Sequence, residues 1–177
     1  MADGVSKLIS FYRGSEADAA GRHIAEIWAW DHRRLEMVHD YIQWLFPTPE
    51  ASRFNPDAPQ LTAADAALFH SDLDLQDRLS RSRDLMLRFY GLVFDRTAVT
   101  RAADFAARAA DWLTPLNHNY LRLTRILLSL GYLGQGPVAQ ALLRCLLDVA
   151  DREGRETVTA HTRAFWKDAV RAPPLHR

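Results

Sequence analysis

Along most of the chain apolar residues recur at spacings of three and four, a pattern that predicts amphipathic helices. In the stretch 73–93, Leu75, Leu79, Ser82, Met86, Phe89, Tyr90 and Val93 fall on one face. Asp77, Arg81, Asp84 and Arg88 fall on the other. The stretch 116–133 is apolar around more of its circumference, through Tyr120, Leu121, Leu123, Ile126, Leu127, Leu128 and Leu130, as a central helix would be. Burying one such Leu stabilises a fold by roughly 1.5–3 kcal/mol. The same periodicity predicts helices at approximately 17–30, 31–46, 62–71, 73–93, 102–113, 116–133, 137–153 and 156–170. Asp31 and Thr62 stand where N-caps belong, Thr62 with Asp65 three residues on as a short capping box. Gly91, Gly134 and Gly154 fall near helix ends. Between Pro47 and Gln60 lie four prolines in fourteen residues, which neither a helix nor a central strand tolerates. Alternating Val/Ile/Thr runs and Asn-Gly turns are absent, so no sheet is expected. The expected fold is all-α: a single-domain orthogonal bundle of about eight helices with 31–46, 73–93 and 116–133 at its centre. Its divisions would be an N-terminal segment 1–16, a helical domain 17–153, and a C-terminal helix and tail 154–177.

Composition narrows the function classes. At 177 residues and 48% apolar content the chain can bury a core without disulfides or metal. Its 22 basic and 22 acidic residues cancel, which argues against a general polyanion binder, so nucleic acid is not expected as a partner. The single Cys145 cannot form an internal disulfide, which suits a reducing compartment and points to the cytoplasm. The start, Met1 to Ser10, lacks the pattern of a signal peptide. From Ile126 to Leu143 no residue is charged, close to membrane-spanning length. The Gly-Gln-Gly-Pro at 134–137 divides that run, so two buried helices joined by a sharp turn are expected there.

Two polar stripes are candidate chemistry. His32, Glu36, His39 and Gln43 are spaced by four, three and four on the predicted second helix. Glu36-x-x-His39 resembles half of a di-iron bundle site, but no second Glu-x-x-His follows, and the stripe reads rather as a polar edge beside Leu35, Val38, Ile42, Leu45 and Phe46. His39-Asp40 also fits a helical phosphohydrolase doublet, with His23 and Asp104 as recruits; seven histidines make such matches cheap. The second stripe is Asn117-His118-Asn119 with Arg122, Arg125 and Ser129. It reads either as arginines paired to carboxylates of a neighbouring helix or as an anion pocket near a helix start. Tyr41 and Trp44 could wall a peptide- or ring-binding groove. Cys145, among Leu142, Leu143, Leu146 and Leu147, reads as an inert packed thiol. The mixed charges Arg78, Arg81, Arg83 and Arg88 with Asp77 and Asp84 read as a solvated face. No nucleophile elbow, phosphate loop or dinucleotide fingerprint occurs, and no cofactor, metal site or catalytic residue is assigned.

The run His39-Asp40-Tyr41-Ile42-Gln43-Trp44-Leu45-Phe46-Pro47 resembles the YIQWLFP signature of the opioid growth factor receptor conserved domain. Phe11-Tyr12-Arg13, Asn55-Pro56 through Leu61-Thr62, Arg78-Leu79, Ser82 with Leu85 to Gly91, and Asn117 through Gly134 resemble further blocks of that domain in order, from about residue 8 to 150. Animal members are described as receptors for methionine-enkephalin, associated with the nucleus and restraining proliferation, with a long tail after this domain. The Arg-rich composition and the short C-terminal segment lead to the expectation of a stand-alone microbial member with a different ligand. The resemblance implies a receptor-like, non-catalytic domain that binds a peptide, small molecule or protein. The expected ligand-binding residues are His39, Tyr41, Gln43, Trp44, Asn117, His118, Arg122 and Arg125. The alternative is an enzyme or metal- or cofactor-binding helical protein using His39 and His118.

Overall fold

The structure, a computed structural model, describes residues 5–53, 55–171 and 175. Among them are ten α-helices and one two-stranded hairpin, so the helical class expected from periodicity is the one found. The helices are α1 (Lys7–Arg13), α2 (Ile24–Trp28), α3 (His32–Met37), α4 (Ile42–Leu45), α5 (Ala63–Ser71), α6 (Leu73–Phe89), α7 (Phe105–Trp112), α8 (Asn119–Tyr132), α9 (Gly136–Arg152) and α10 (Ala160–Ala169). The strands β1 (Leu92–Phe94) and β2 (Val99–Arg101) lie between α6 and α7. The chain divides into two compact units, with the boundary inside α6 between Ser82 and Arg83.

In the first unit, α1 has Ser6 as N-cap, accepting from Ile9 N at 3.2 Å, and Gly14 in the left-handed conformation at its end. Leu8, Ile9, Ser10, Phe11 and Tyr12 are all buried and only the end residues Lys7 and Arg13 are exposed, so no alternation of faces reveals the helix. The expected helix 17–30 shrinks to α2. The Asp18 carboxylate accepts from Ala20 N and Arg22 N, both at 2.9 Å, and Gly21 has φ +79°; these local bonds compete with helix formation over 17–23. The expected continuous helix 31–46 is also corrected. Asp31 caps α3, accepting from Arg34 N at 2.8 Å, but Val38 is extended and α4 begins four residues later. Tyr41 Oη takes the Leu35 carbonyl, at 3.0 Å, that a continuing helix would have used. Thr62 forms the capping box with Asp65 that opens α5. The core of this unit joins Tyr12, Phe11, Trp44 and Phe69 through edge-on and tilted ring contacts of 4.8–6.1 Å, and Tyr12 Oη donates to the Leu45 carbonyl.

In the second unit, α6 ends at Phe89 rather than continuing to 93. Gly91 has φ +71°, and a Cβ there would lie 2.7 Å from Phe105 Cα, so only glycine fits. Val93 therefore stands in β1 and is 45% exposed, off the buried face where the helical pattern had put it. The hairpin pairs Leu92 with Arg101, Val93 with Thr100 and Phe94 with Val99. Three-residue strands and an Asp95–Ala98 turn without Asn-Gly leave no sequence signature of a strand. Arg83, expected on a solvated face, is buried: it donates to Gln135 Oε1 at 2.9 Å and stacks over Phe94. Helices α8, α9 and α10 pack together, with Trp166 Nε1 donating to the Tyr120 carbonyl at 3.2 Å. The uncharged run 126–143 is divided by Gly134 at φ +91°, with a proline in the first turn of α9, as expected. Among the described residues no helix is long and apolar enough to cross a membrane.

The turn makes a pH prediction. Bonds from Ala98 N, the Thr97 hydroxyl and Thr97 N hold the Asp95 carboxyl down to about 2. Because the folded value lies below the ordinary carboxylate range, this stabilisation is present above about pH 4 and is lost as pH falls toward 2. Val93 and Thr100 amide shifts, followed by NMR, should stay constant from pH 7 to 4 and move toward disordered values below about pH 3.

Candidate functional site

The signature segment 39–47 is held from several directions within the first unit. Arg22 Nη1 reaches Asp40 Oδ1 at 2.8 Å, and Asn55 Nδ2 donates to the Asp40 carbonyl at 3.0 Å. The Gln43 amide nitrogen faces the His39 and Asp40 carbonyls at 3.3 and 3.2 Å. Tyr41 is buried edge-on to Trp30, whose ring is flanked by the guanidinium groups of Arg34 and Arg22. These contacts use Tyr41 and Gln43 to fix the segment, whereas His39 is exposed. The break at Val38 also dissolves the expected stripe: His32 and Glu36 belong to α3, and His39 and Gln43 to the following segment. Among the described residues no three His, Cys, Asp or Glu side chains gather to hold a metal ion.

Trp44 is 4% exposed, packs tilted against Phe11 with ring centroids 5.1 Å apart, and borders a cavity of about 500 Å³. Lys7, Glu16, Asp18 and Asp57 line the same cavity. The Asp18 carboxylate is already committed, to Arg22 at 2.6 Å and to two backbone amides. Glu16, Asp57 and Lys7 form no ion pair among the described residues, which leaves the cavity a small negative excess beside the largely buried Trp44. Trp44 stands out in the sequence within its aromatic signature, whereas the other walls do not. They lie on α1 and two loops far apart in the chain, with no spacing rule to join them.

The second stripe lies in the second unit. Asn117 bridges the turn before α8: its Nδ2 donates to Asp111 O at 3.2 Å and Thr114 Oγ1 at 2.9 Å, and its Oδ1 accepts from Asn119 N at 2.9 Å. Asn119 is fully buried, and its Oδ1 accepts from Tyr90 Oη and from Arg122 Nη1, both at 3.3 Å. Arg122 is only 5% exposed and so belongs to an internal polar network, its acceptor here an amide of its own helix. His118 is exposed and Arg125 half-buried. Ser129 Oγ is buried without a hydrogen-bond partner among the described residues.

Cys145 is buried in α9, and desolvation pushes its thiol up to about 11. Thiolate is then scarce at neutral pH. Ellman's reagent at pH 8 should react far more slowly with the native protein than with the urea-unfolded chain; equal rates would contradict this burial.

Comparison with known proteins follows the same segments. The chain matches the opioid growth factor receptor (OGFr) conserved region over residues 8–173, which takes in α1 and most of the chain through α10. It is 41% identical over 153 residues to the human protein named opioid growth factor receptor, covering 82% of this chain and 22% of that one. It is 37% identical over 135 residues to mouse opioid growth factor receptor-like protein 1, covering 73% and 29% respectively. Its 34% identity to the Xenopus tropicalis receptor-like protein 1 spans 146 residues, 80% of this chain and 27% of that one. The chain thus spans less than a third of the length of these relatives. No solved structure matches it. On the extent of these matches, the chain belongs to the opioid growth factor receptor family.

Proposed function

We propose that this chain is a non-catalytic, receptor-like binding domain for a peptide, small-molecule or protein ligand. The observation that carries the reading is the Trp44-bordered cavity, about 500 Å³ in volume, within the range of small-ligand sites. Glu16 and Asp57, in a cavity bordered by Trp44, favour a ligand bearing a positive group through charge attraction. His39 in the first unit, and His118 and Arg125 in the second, are the more accessible members of the expected ligand-binding set. Tyr41, Gln43 and Asn117 hold backbone groups of these segments, and Arg122 holds the Asn119 side-chain amide. Relatives named as receptors support binding as the activity. The balanced charge gives nucleic acid no general attraction, and the buried thiol suits the cytoplasm.

The test is an NMR screen of the ¹⁵N-labelled chain against cationic, neutral and anionic peptides and fragments. The reading expects saturable shifts of the Trp44 indole N–H and the Ala17 and Ala19 amides with cationic members, weakened by Glu16→Gln with Asp57→Asn. A screen in which no member moves those signals overturns it.

A further inference from the structure

The outer face of α10 carries an ordered set of groups that no other part of the chain covers. Trp166 and Ala169 are buried and turn the helix onto α8, while His161, Ala164, Phe165 and Asp168 are exposed. At 3.6 residues per turn these four fall in one stripe about 100° wide. Phe165 is 47% exposed, and His161, one turn earlier, packs edge-on against it with ring centroids 4.4 Å apart. That contact restrains the phenyl ring, so a partner has little rotamer freedom left to freeze. Ala164 beside the ring is small and leaves room for a bulky group.

The charges of the stripe run against the helix dipole. A helix favours acidic groups near its start and basic groups near its end, yet α10 has no acidic residue in its first turn, where His161 stands, and carries Asp168 in its last. Neither side chain has a hydrogen bond or ion pair among the described residues. An antiparallel copy of the same helix matches each of these features. With a two-fold axis passing between Ala164 and Phe165, His161 of each copy faces Asp168 of the other, and Phe165 of each meets Ala164 of the other. The carboxylate of one helix then stands beside the start of the other, where an acid is favourable. The order base, small residue, ring, acid is complementary to its own reverse, so the chain itself supplies the partner surface. Its formal net charge of zero sets no overall repulsion between copies.

We infer that α10 is a self-association surface through which two copies of this chain pair as an antiparallel, two-fold dimer. A single ten-residue helix gives each copy a contact below the standard interface size, so the dimer is weak, with a dissociation constant on the order of 0.1 mM. The surface lies in the second unit and does not rest on the Trp44 cavity.

The test combines sedimentation equilibrium of the full chain, from about 0.01 to 1 mM, with isotope-filtered NMR of a sample mixing ¹³C-labelled and unlabelled chains. A reversible monomer–dimer equilibrium is expected, with intermolecular NOEs between the Phe165 ring and the Ala164 methyl. Ala164→Glu should abolish the dimer by placing a carboxylate against the incoming ring. His161→Asp and Asp168→His should each weaken it about fivefold, as loss of two symmetric exposed pairs implies, and the double variant should recover the original affinity. These positions are exposed, so the urea midpoint checks that each variant folds; should one fail, the NOEs on the unaltered chain still decide. A chain that stays monomeric throughout the range overturns the inference. A dimer without the Phe165–Ala164 NOEs, or one indifferent to Ala164→Glu, overturns it too, because association then uses another face. A double variant no tighter than the single ones also counts against it.

Discussion

Trp112→Ala is expected to lower folding stability by about 3–5 kcal/mol, the range for truncating a fully buried aromatic. Trp112 is completely buried, edge-on to Tyr90 and Tyr120 at 5.4 and 6.5 Å, and its Nε1 donates to the Tyr90 carbonyl at 3.2 Å. Trp112 therefore ties α7 to α8 and to the residue that follows α6, and Tyr120 carries the ring series on to Trp166 of α10. The loss is a large fraction of the roughly 5–15 kcal/mol that holds a typical domain. In urea, the unfolding midpoint should fall sharply with little change in slope. Trp112→Phe should keep much of the ring packing, lose the indole bond, and fall between wild type and alanine. A midpoint for Trp112→Ala close to wild type would mean that α7 contributes little to the second unit.

Asn119→Leu should cost about 2–3 kcal/mol despite its similar volume. The amide oxygen receives both the Tyr90 hydroxyl and the Arg122 guanidinium inside the protein. Leucine withdraws that acceptor from a buried cation and a buried phenol together. Tyr90→Phe alone should cost nearer 1 kcal/mol, and the two substitutions should be non-additive because they remove the same bond. Paired unfolding curves for the two single variants and the double variant give this coupling directly. The outcome also bears on Arg122: a bracing role makes Arg122→Ala lower the melting temperature in buffer alone, whereas a ligand-binding role would leave that temperature near wild type.

Helices with one wet face were legible in the sequence. The pattern of α6 through Tyr90, the capping box of α5 and the Gly-Pro division between α8 and α9 all follow from periodicity and end signals. Elements whose surroundings decide their shape were not. In α1 the five consecutive residues Leu8 to Tyr12 are buried, so no periodic contrast marks it. The segments 17–23 and 38–41 read as helical, yet the Asp18 carboxylate and the Tyr41 hydroxyl redirect the backbone there. Arg83 looked like one more solvated arginine and is buried on Gln135 and Phe94, a choice made by tertiary packing. The candidate site divides along the same line. Trp44 stood out within its aromatic signature, whereas Lys7, Glu16 and Asp57 reach its cavity only through the fold of α1 and the loops.

Family membership rests on long sequence matches, and the receptor-like role proposed for this chain rests on the Trp44 cavity. Crystallographic fragment soaking tests that role most directly. The account predicts density for cationic fragments in the cavity bordered by Trp44, with the positive group toward Glu16 and Asp57. Fragments bound only elsewhere on the protein, with the Trp44 cavity left to solvent throughout the series, would contradict it.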